Sequence, residues 1–132
     1  MRENTQAGTV SGIAAPRHVY KVLRPLEWAA LQRDGRFAGS PDDIRDGFVH
    51  LSCWTQVQGT LERHFSRPED REVVVAVIPV AAIEDCLRWE KSRGGGLFPH
   101  LYRALQSPDV ARSFHLARGE DGRYTLPAEE PA

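Results

Sequence analysis

Cysteine is scarce in this chain of 132 residues: Cys53 and Cys86 stand alone, without C-x-x-C spacing. Two isolated thiols exclude a disulfide framework, argue against a zinc site, and fit a reducing cytoplasm better than secretion. No apolar run approaches the roughly 20 residues that span a bilayer, so membrane partners are not expected. Met1 to Pro16 lacks the basic start and apolar block of a signal peptide and reads as a flexible leader, with 128–132 as a loose tail. Excess charge of one sign is missing too. The net charge is -1, whereas duplex binding rests on many phosphate neutralisations, which disfavours nucleic acid as a partner. No H-E-x-x-H, carboxylate-rich loop or Cys/His cluster occurs, so no metal is implied, and the absence of G-x-S-x-G argues against a serine hydrolase.

What is present describes one domain. The hydrophobic fraction of 41% and charged fraction of 27% are ordinary for a soluble globular protein, and the length suits one core, expected over 17–127. His18 to Leu23 alternates as a strand, with Val19 and Lys21 on one face and Tyr20 and Val22 on the other. Pro25 suits a first helical turn, and Gly35 is placed to end that helix. Phe37 to Gly47, rich in Gly, Pro and Asp, reads as a long loop before a strand at Phe48-Val49-His50-Leu51. Ser52 is positioned to cap a second helix over Trp54 to Phe65, whose buried stripe is Val57, Leu61 and Phe65.

Glu72 to Ile78 holds the β-branched run Val73-Val74-Val75-Ala76-Val77, which predicts a central strand covered on both faces. Pro79 to Asp85 reads as a helical turn or tight connection. Further strands are expected at Leu87 to Glu90, Leu101 to Leu105 and Ser113 to Leu116, and Asp121-Gly122 signals a hairpin into Tyr124-Thr125-Leu126. Helices early and strands mostly late describe an α+β fold with largely antiparallel sheets and two main helices.

Three clusters carry chemistry. On a strand, His50 and Ser52 would share a face at the start of a helix, where free N–H groups favour an anion; the plain alternative is that Ser52 caps and His50 makes a local hydrogen bond. Arg88 and Glu90 would share a strand face, with Trp89 behind them. Arg93 before Gly94-Gly95-Gly96 adds a planar cation to backbone able to expose N–H groups, unless the run is merely a hairpin loop. Phe98-Pro99-His100-Leu101-Tyr102 aims an imidazole and a phenol one way, a pair able to bind a ring or move a proton, or else forms a Phe-Pro packing corner.

Tyr20-Lys21-Val22, Gly39-Ser40-Pro41, Asp46-Gly47-Phe48-Val49-His50-Leu51-Ser52, Arg88-Trp89-Glu90, Arg93-Gly94-Gly95 and Phe98-Pro99-His100-Leu101-Tyr102 occur in that order. This succession resembles the bacterial family known as domain of unknown function 952, over about Arg17 to Pro127. The resemblance implies an ADP-ribosyltransferase-like fold, in which two small β-sheets form a split barrel with NAD in the cleft between them. Val49-His50-Leu51-Ser52 is also similar to a strand of the RNA 2'-phosphotransferases, although Lys21 stands where those enzymes have a histidine and Val22-Leu23 replaces their Gly-Thr. By this likeness His50 and Ser52 would face the nicotinamide-ribose region, and Arg88, Glu90 and Arg93 would line the cleft.

The expected site therefore comprises His50, Glu90 and His100 as catalytic groups, with Tyr20, Lys21, Ser52, Arg88, Trp89, Arg93, Gly94, Gly95, Phe98 and Tyr102 as ligand-binding residues. The expected ligand is NAD, ADP-ribose or a related small nucleotide, with transferase chemistry as an extension. The competing expectation is a non-catalytic module that holds a protein segment or a small acidic metabolite on Trp89 and Phe98. RNA processing rests on the phosphotransferase likeness alone, and the balanced charge weighs against it.

Overall fold

A computed structural model describes residues 9–10 and 13–131. In chain order the elements are β1 (Thr9–Val10), β2 (Ile13–Ala14), β3 (His18–Leu23), α1 (Pro25–Asp34), β4 (Arg36–Phe37), α2 (Pro41–Asp46) and β5 (Val49–His50). There follow α3 (Trp54–His64), β6 (Glu72–Pro79), α4 (Val80–Ile83), β7 (Leu87–Lys91), β8 (Leu97–Leu101), β9 (Leu105–Gln106) and β10 (Arg112–Ala117). The fold is mixed α and β with several antiparallel sheets, and no barrel closes among the described residues.

β6 is central, paired with β3 on one side and β10 on the other. Its side chains alternate between two cores. Val73, Val75 and Val77 join Tyr20 and Val22 against Val57 and Leu61 of α3 and Phe65 just past its end. Ala76 and Ile78 join Val19 and Leu23 against Leu31 of α1 and Val49, Leu51 and Leu101 of the second sheet. Burial on both faces is why the strand reads as a β-branched run; each fully buried Val or Leu contributes about 1.5–3 kcal/mol.

That second sheet has the order β5-β8-β7. It meets the first where Tyr20 and Ser52 exchange two backbone hydrogen bonds, of 2.8 and 2.9 Å. This pairing takes Ser52 out of the capping role expected of it. Cys53 stands at the N-cap of α3 instead, and the Gln56 side chain accepts its N–H at 2.9 Å.

Other boundaries differ for local reasons. The segment expected as one loop, Phe37 to Gly47, contains α2: Ser40 accepts from the Asp43 N–H, the Asp43 side chain accepts from the Ser40 N–H, Pro41 opens the helix, and Gly47 closes it at φ 86. The strand expected at Leu101 to Leu105 lies earlier, at Leu97–Leu101, because pairing with β7 sets its register (Arg88 opposite His100, Glu90 opposite Phe98). Its Pro99 lacks the N–H a central strand normally donates, which makes the segment read as a corner. Arg118 and Tyr124 form a single bridge across the Asp121-Gly122 turn in place of a longer strand pair.

Of the stretch expected as a leader, 1–8 and 11–12 lie outside the described residues, and Thr9–Val10 pairs with Ile13–Ala14. In the tail, Glu130 accepts a hydrogen bond from the Tyr20 hydroxyl at 2.5 Å. No helix among the described residues is long and apolar enough to cross a membrane.

Candidate functional site

The second sheet gathers its polar side chains on one face. Strand alternation sends Val49, Leu87 and Leu101 toward the core and leaves His50, Arg88, Glu90, Phe98 and His100 on the opposite side. Register does the rest, since His50 and Arg88 both pair with His100 from its two neighbouring strands. The imidazoles of His50 and His100 lie with centroids 5.6 Å apart, edge to face.

Each imidazole is oriented by a carboxylate. His50 Nδ1 is 2.6 Å from Asp43 Oδ1, and the His50 backbone N–H donates to the same oxygen at 3.0 Å. Its Nε2 is 3.0 Å from Asp46 Oδ2. A carboxylate oxygen, an acceptor, thus stands at each ring nitrogen. Asp43 itself is buried and fully engaged: Oδ2 accepts from the Lys21 ammonium at 2.9 Å and from the Ser40 N–H at 2.9 Å. Burial alone would raise its pKa. The His50 hydrogen bond, the Lys21 charge and the backbone N–H groups of His50 and Ser40 outweigh burial and hold the carboxyl well below the ordinary range.

His100 is set up the other way. Its Nδ1 lies 2.8 Å from Glu90 Oε1, an acceptor that fixes the proton on Nδ1 and leaves a lone pair on Nε2. The Tyr102 hydroxyl donates to that same oxygen at 2.6 Å. The hydrogen bonds from Tyr102 and then His100 lower the Glu90 pKa, and the bond to Glu90 raises that of Tyr102. His100 is only 4% exposed, and its Nε2 has no hydrogen-bond partner among the described residues. Arg88 lies over the Tyr102 ring at 4.8 Å and has no carboxylate within ion-pair distance among the described residues, so its charge is available at the rim.

The expected site residues thus fall into groups. His50, Glu90, His100, Arg88 and Tyr102 come together, with half-buried Phe98 on the same face of the sheet. Lys21 joins from β3 as a buried support, bonded to Asp43 and to the His50 carbonyl at 3.1 Å. Tyr20 and Ser52 must be set apart from the cleft. Tyr20 is 0% exposed, packed on Trp54 at 5.2 Å in the α3 core, and Ser52 is buried with its hydroxyl 2.8 Å from Thr60. Strand alternation explains Tyr20, which points to the face opposite Lys21.

Trp89 also departs, because it lies on the reverse of β7 from Arg88 and Glu90. Gly94 and Gly95 form the tip of the β7–β8 hairpin at φ 83 and 82, a conformation that requires glycine there. The Arg88–His100 pair lies three positions from the tip-end pair Lys91–Leu97, roughly 10 Å at strand rise, so the glycines shape the turn and do not cradle the imidazoles. The Arg93 side chain lies outside the described residues.

Sequence reasoning missed Asp43, Asp46 and Phe48. Ser40 three residues before Asp43 is the capping pattern that could have exposed α2, and Asp46 and Phe48 sit within a motif noticed for its histidine. No group of three or more His, Cys, Asp or Glu among the described residues could hold a metal ion.

Residues 22–113 match the family described as protein of unknown function (DUF952). The crystal structure of protein CC0527 from Caulobacter crescentus is similar, with 39% identity, a TM-score of 0.75, and coverage of 83% of this chain and 94% of that one. The solution NMR structure of CC0527, also 39% identical, has a TM-score of 0.70 over 81% of this chain and 90% of that one. No curated protein matches the chain.

Proposed function

This chain belongs to the DUF952 family of proteins of unknown function, and from its own side chains we propose that it binds a small anionic nucleotide such as NAD or ADP-ribose on the His50–His100 face. The observation that carries this reading is the opposite poise of two neighbouring imidazoles, one bracketed by acceptors and one with a free lone pair. An acid and a base held 5.6 Å apart are equipped to move protons during a transfer on the bound ligand. Arg88 supplies the cation for a phosphate, which a guanidinium can hold through two parallel hydrogen bonds. Two antiparallel three-stranded sheets joined at Tyr20–Ser52 support the finer reading of an ADP-ribosyltransferase-like split fold. The free Cys53 and Cys86 support a cytoplasmic setting, and the near-balanced charge favours a small ligand over nucleic acid.

Calorimetry and thermal unfolding with ADP-ribose and NAD test the proposal. Ligand at about 100 times its Kd should stabilise the protein by about 2.7 kcal/mol. Arg88→Ala should weaken binding about 10- to 100-fold, the worth of a hydrogen bond to a charged group. No thermal shift with either nucleotide at millimolar concentration, or unchanged affinity in the variant, would defeat it.

A second reading has one observation in its favour. Trp89 and Leu97 are 37% and 44% exposed on the reverse side of the hairpin from Glu90 and His100, as expected of a module that holds a protein segment or acidic metabolite. Under it, fluorescence polarisation against short acidic-apolar peptides should show capture that Trp89→Ala abolishes while ADP-ribose binding is untouched. Capture equal in both proteins would remove Trp89 as the anchor.

A further inference from the structure

Phe48 has no polar work to do, and it touches both imidazoles and the Tyr102 ring. Its ring stacks on His100 at 3.9 Å with planes 21° apart, and lies tilted against His50 at 4.6 Å and Tyr102 at 5.3 Å. It closes over a polar residue whose Nε2 is buried without a protein partner among the described residues. Glu90 fixes the proton on Nδ1, so Nε2 needs a donor, and none of its described neighbours supplies one: the Tyr102 hydroxyl is committed to Glu90, both His50 nitrogens face carboxylates, and the Arg88 guanidinium lies over the Tyr102 ring. A benzyl ring supplies stacking and no donor.

We propose that Phe48 is a placeholder for the ligand's own ring: a planar heteroaromatic, as in adenine or nicotinamide, displaces it and stacks on the face of His100, while a ribose hydroxyl of the same ligand donates to Nε2 in the imidazole plane. The inference rests on the nucleotide reading above and changes one part of it: His100 recognises the ligand in place of acting as the base, and proton transfer is left to His50 and Glu90. Means of displacement are present. Phe48 follows Gly47, which sits at φ 86, and lies just outside β5. It also lines an open depression of about 260 Å³ together with Asp43, Ile44, Gly47, Tyr102 and Arg103, which offers the ring somewhere to go.

The test compares the full chain with Phe48→Ala, titrating adenine and nicotinamide as ring probes and ribose 5-phosphate as a probe without the ring. Opening the site should tighten both ring probes about tenfold, the scale of one aromatic stack, and change ribose 5-phosphate by less than about twofold. A gain shared equally by all three probes, or by none, overturns the proposal. If Phe48→Ala does not fold, the wild-type protein decides: saturation with ADP-ribose should shift the imidazole nitrogen signal of His100 Nε2 and release Phe48 from its ring-current contact, and unmoved signals overturn the proposal. Binding of ADP-ribose that depends on Arg88 but shows no ring preference in Phe48→Ala sinks the placeholder alone. No binding of ADP-ribose to either protein sinks the nucleotide reading with it.

Discussion

Asp43→Asn is expected to cost about 3–5 kcal/mol of folding stability, the loss seen when one partner of a buried ion pair is removed. The reason is the company Asp43 keeps. Its two oxygens serve the Lys21 ammonium, the Ser40 N–H, the His50 N–H and His50 Nδ1, and both Lys21 and Asp43 are buried. An amide offers one acceptor where the carboxylate offered two and carries no charge, so Lys21 is left as a lone cation on the core face of β3 beside Val19 and Leu23. In a domain of this size the loss corresponds to a melting temperature lower by roughly 10–20 °C. The double variant Lys21→Met/Asp43→Asn should recover much of it, because removing both partners leaves no uncompensated charge. If Asp43→Asn alone melts within about 2 °C of wild type, the network does not hold the fold as argued.

The pH dependence follows from the direction of the Asp43 shift. A carboxyl with a folded pKa below its unfolded one contributes stability that is fully present above the ordinary carboxylate range and is lost as pH falls through and below it. Denaturant titrations should therefore show a constant gap between wild type and Asp43→Asn at neutral pH. That gap should begin to narrow below about pH 4, where Asp43 takes up its proton in the unfolded state, and close only as pH falls through the lower value of the folded carboxyl.

Asp43 also shows why part of the site escaped the sequence. β6 is legible because its buried side chains are all apolar and mostly β-branched, and α1 is legible because Pro25 and Gly35 mark its ends. The only buried residue of α2 is a carboxylate, so no hydrophobic periodicity announces the helix. Its partner Lys21 lies 22 residues upstream, and nothing local in either residue hints at the pairing. The histidines tell the same story in reverse. His50 and His100 each stand out on their own strand, but their adjacency comes from the β5–β8 register, which sequence does not display. Tyr20 and Ser52 lie within the stretches on which the resemblance rests, yet the Tyr20–Ser52 pairing and the face assignment of β3 bury them away from the His50–His100 face. Membership of a motif and membership of a site are separate properties, and only packing divides them.

Gly39→Ala should reach the same carboxylate without touching its chemistry, at a cost on the order of 2–6 kcal/mol. Gly39 sits at φ 135, outside the range that side-chain-bearing residues readily adopt, which contributes about 1–3 kcal/mol of strain. The added Cβ would lie 2.5 Å from Asp43 Cβ and 3.2 Å from its Oδ2. Something must shift, and the obstructing atom is not the free end of a flexible chain: it is the stem of a carboxylate pinned by four donors. Overlap in so constrained a place adds about 1–3 kcal/mol. Gly59 is the internal control, since it lies within α3, has no unusual φ, and would carry a methyl group with nothing within 4 Å of it. Gly59→Ala should be neutral or stabilise by about 0.5–1 kcal/mol through helix propensity. The two variants add the same methyl group, so opposite signs in denaturant unfolding would trace the cost to Asp43 and the backbone at Gly39. His50 ring signals displaced in Gly39→Ala but not in Gly59→Ala would carry that cost to the site. Equal stabilities, with His50 unmoved in both, would show that the Gly39–Asp43 contact yields and that the site does not depend on it.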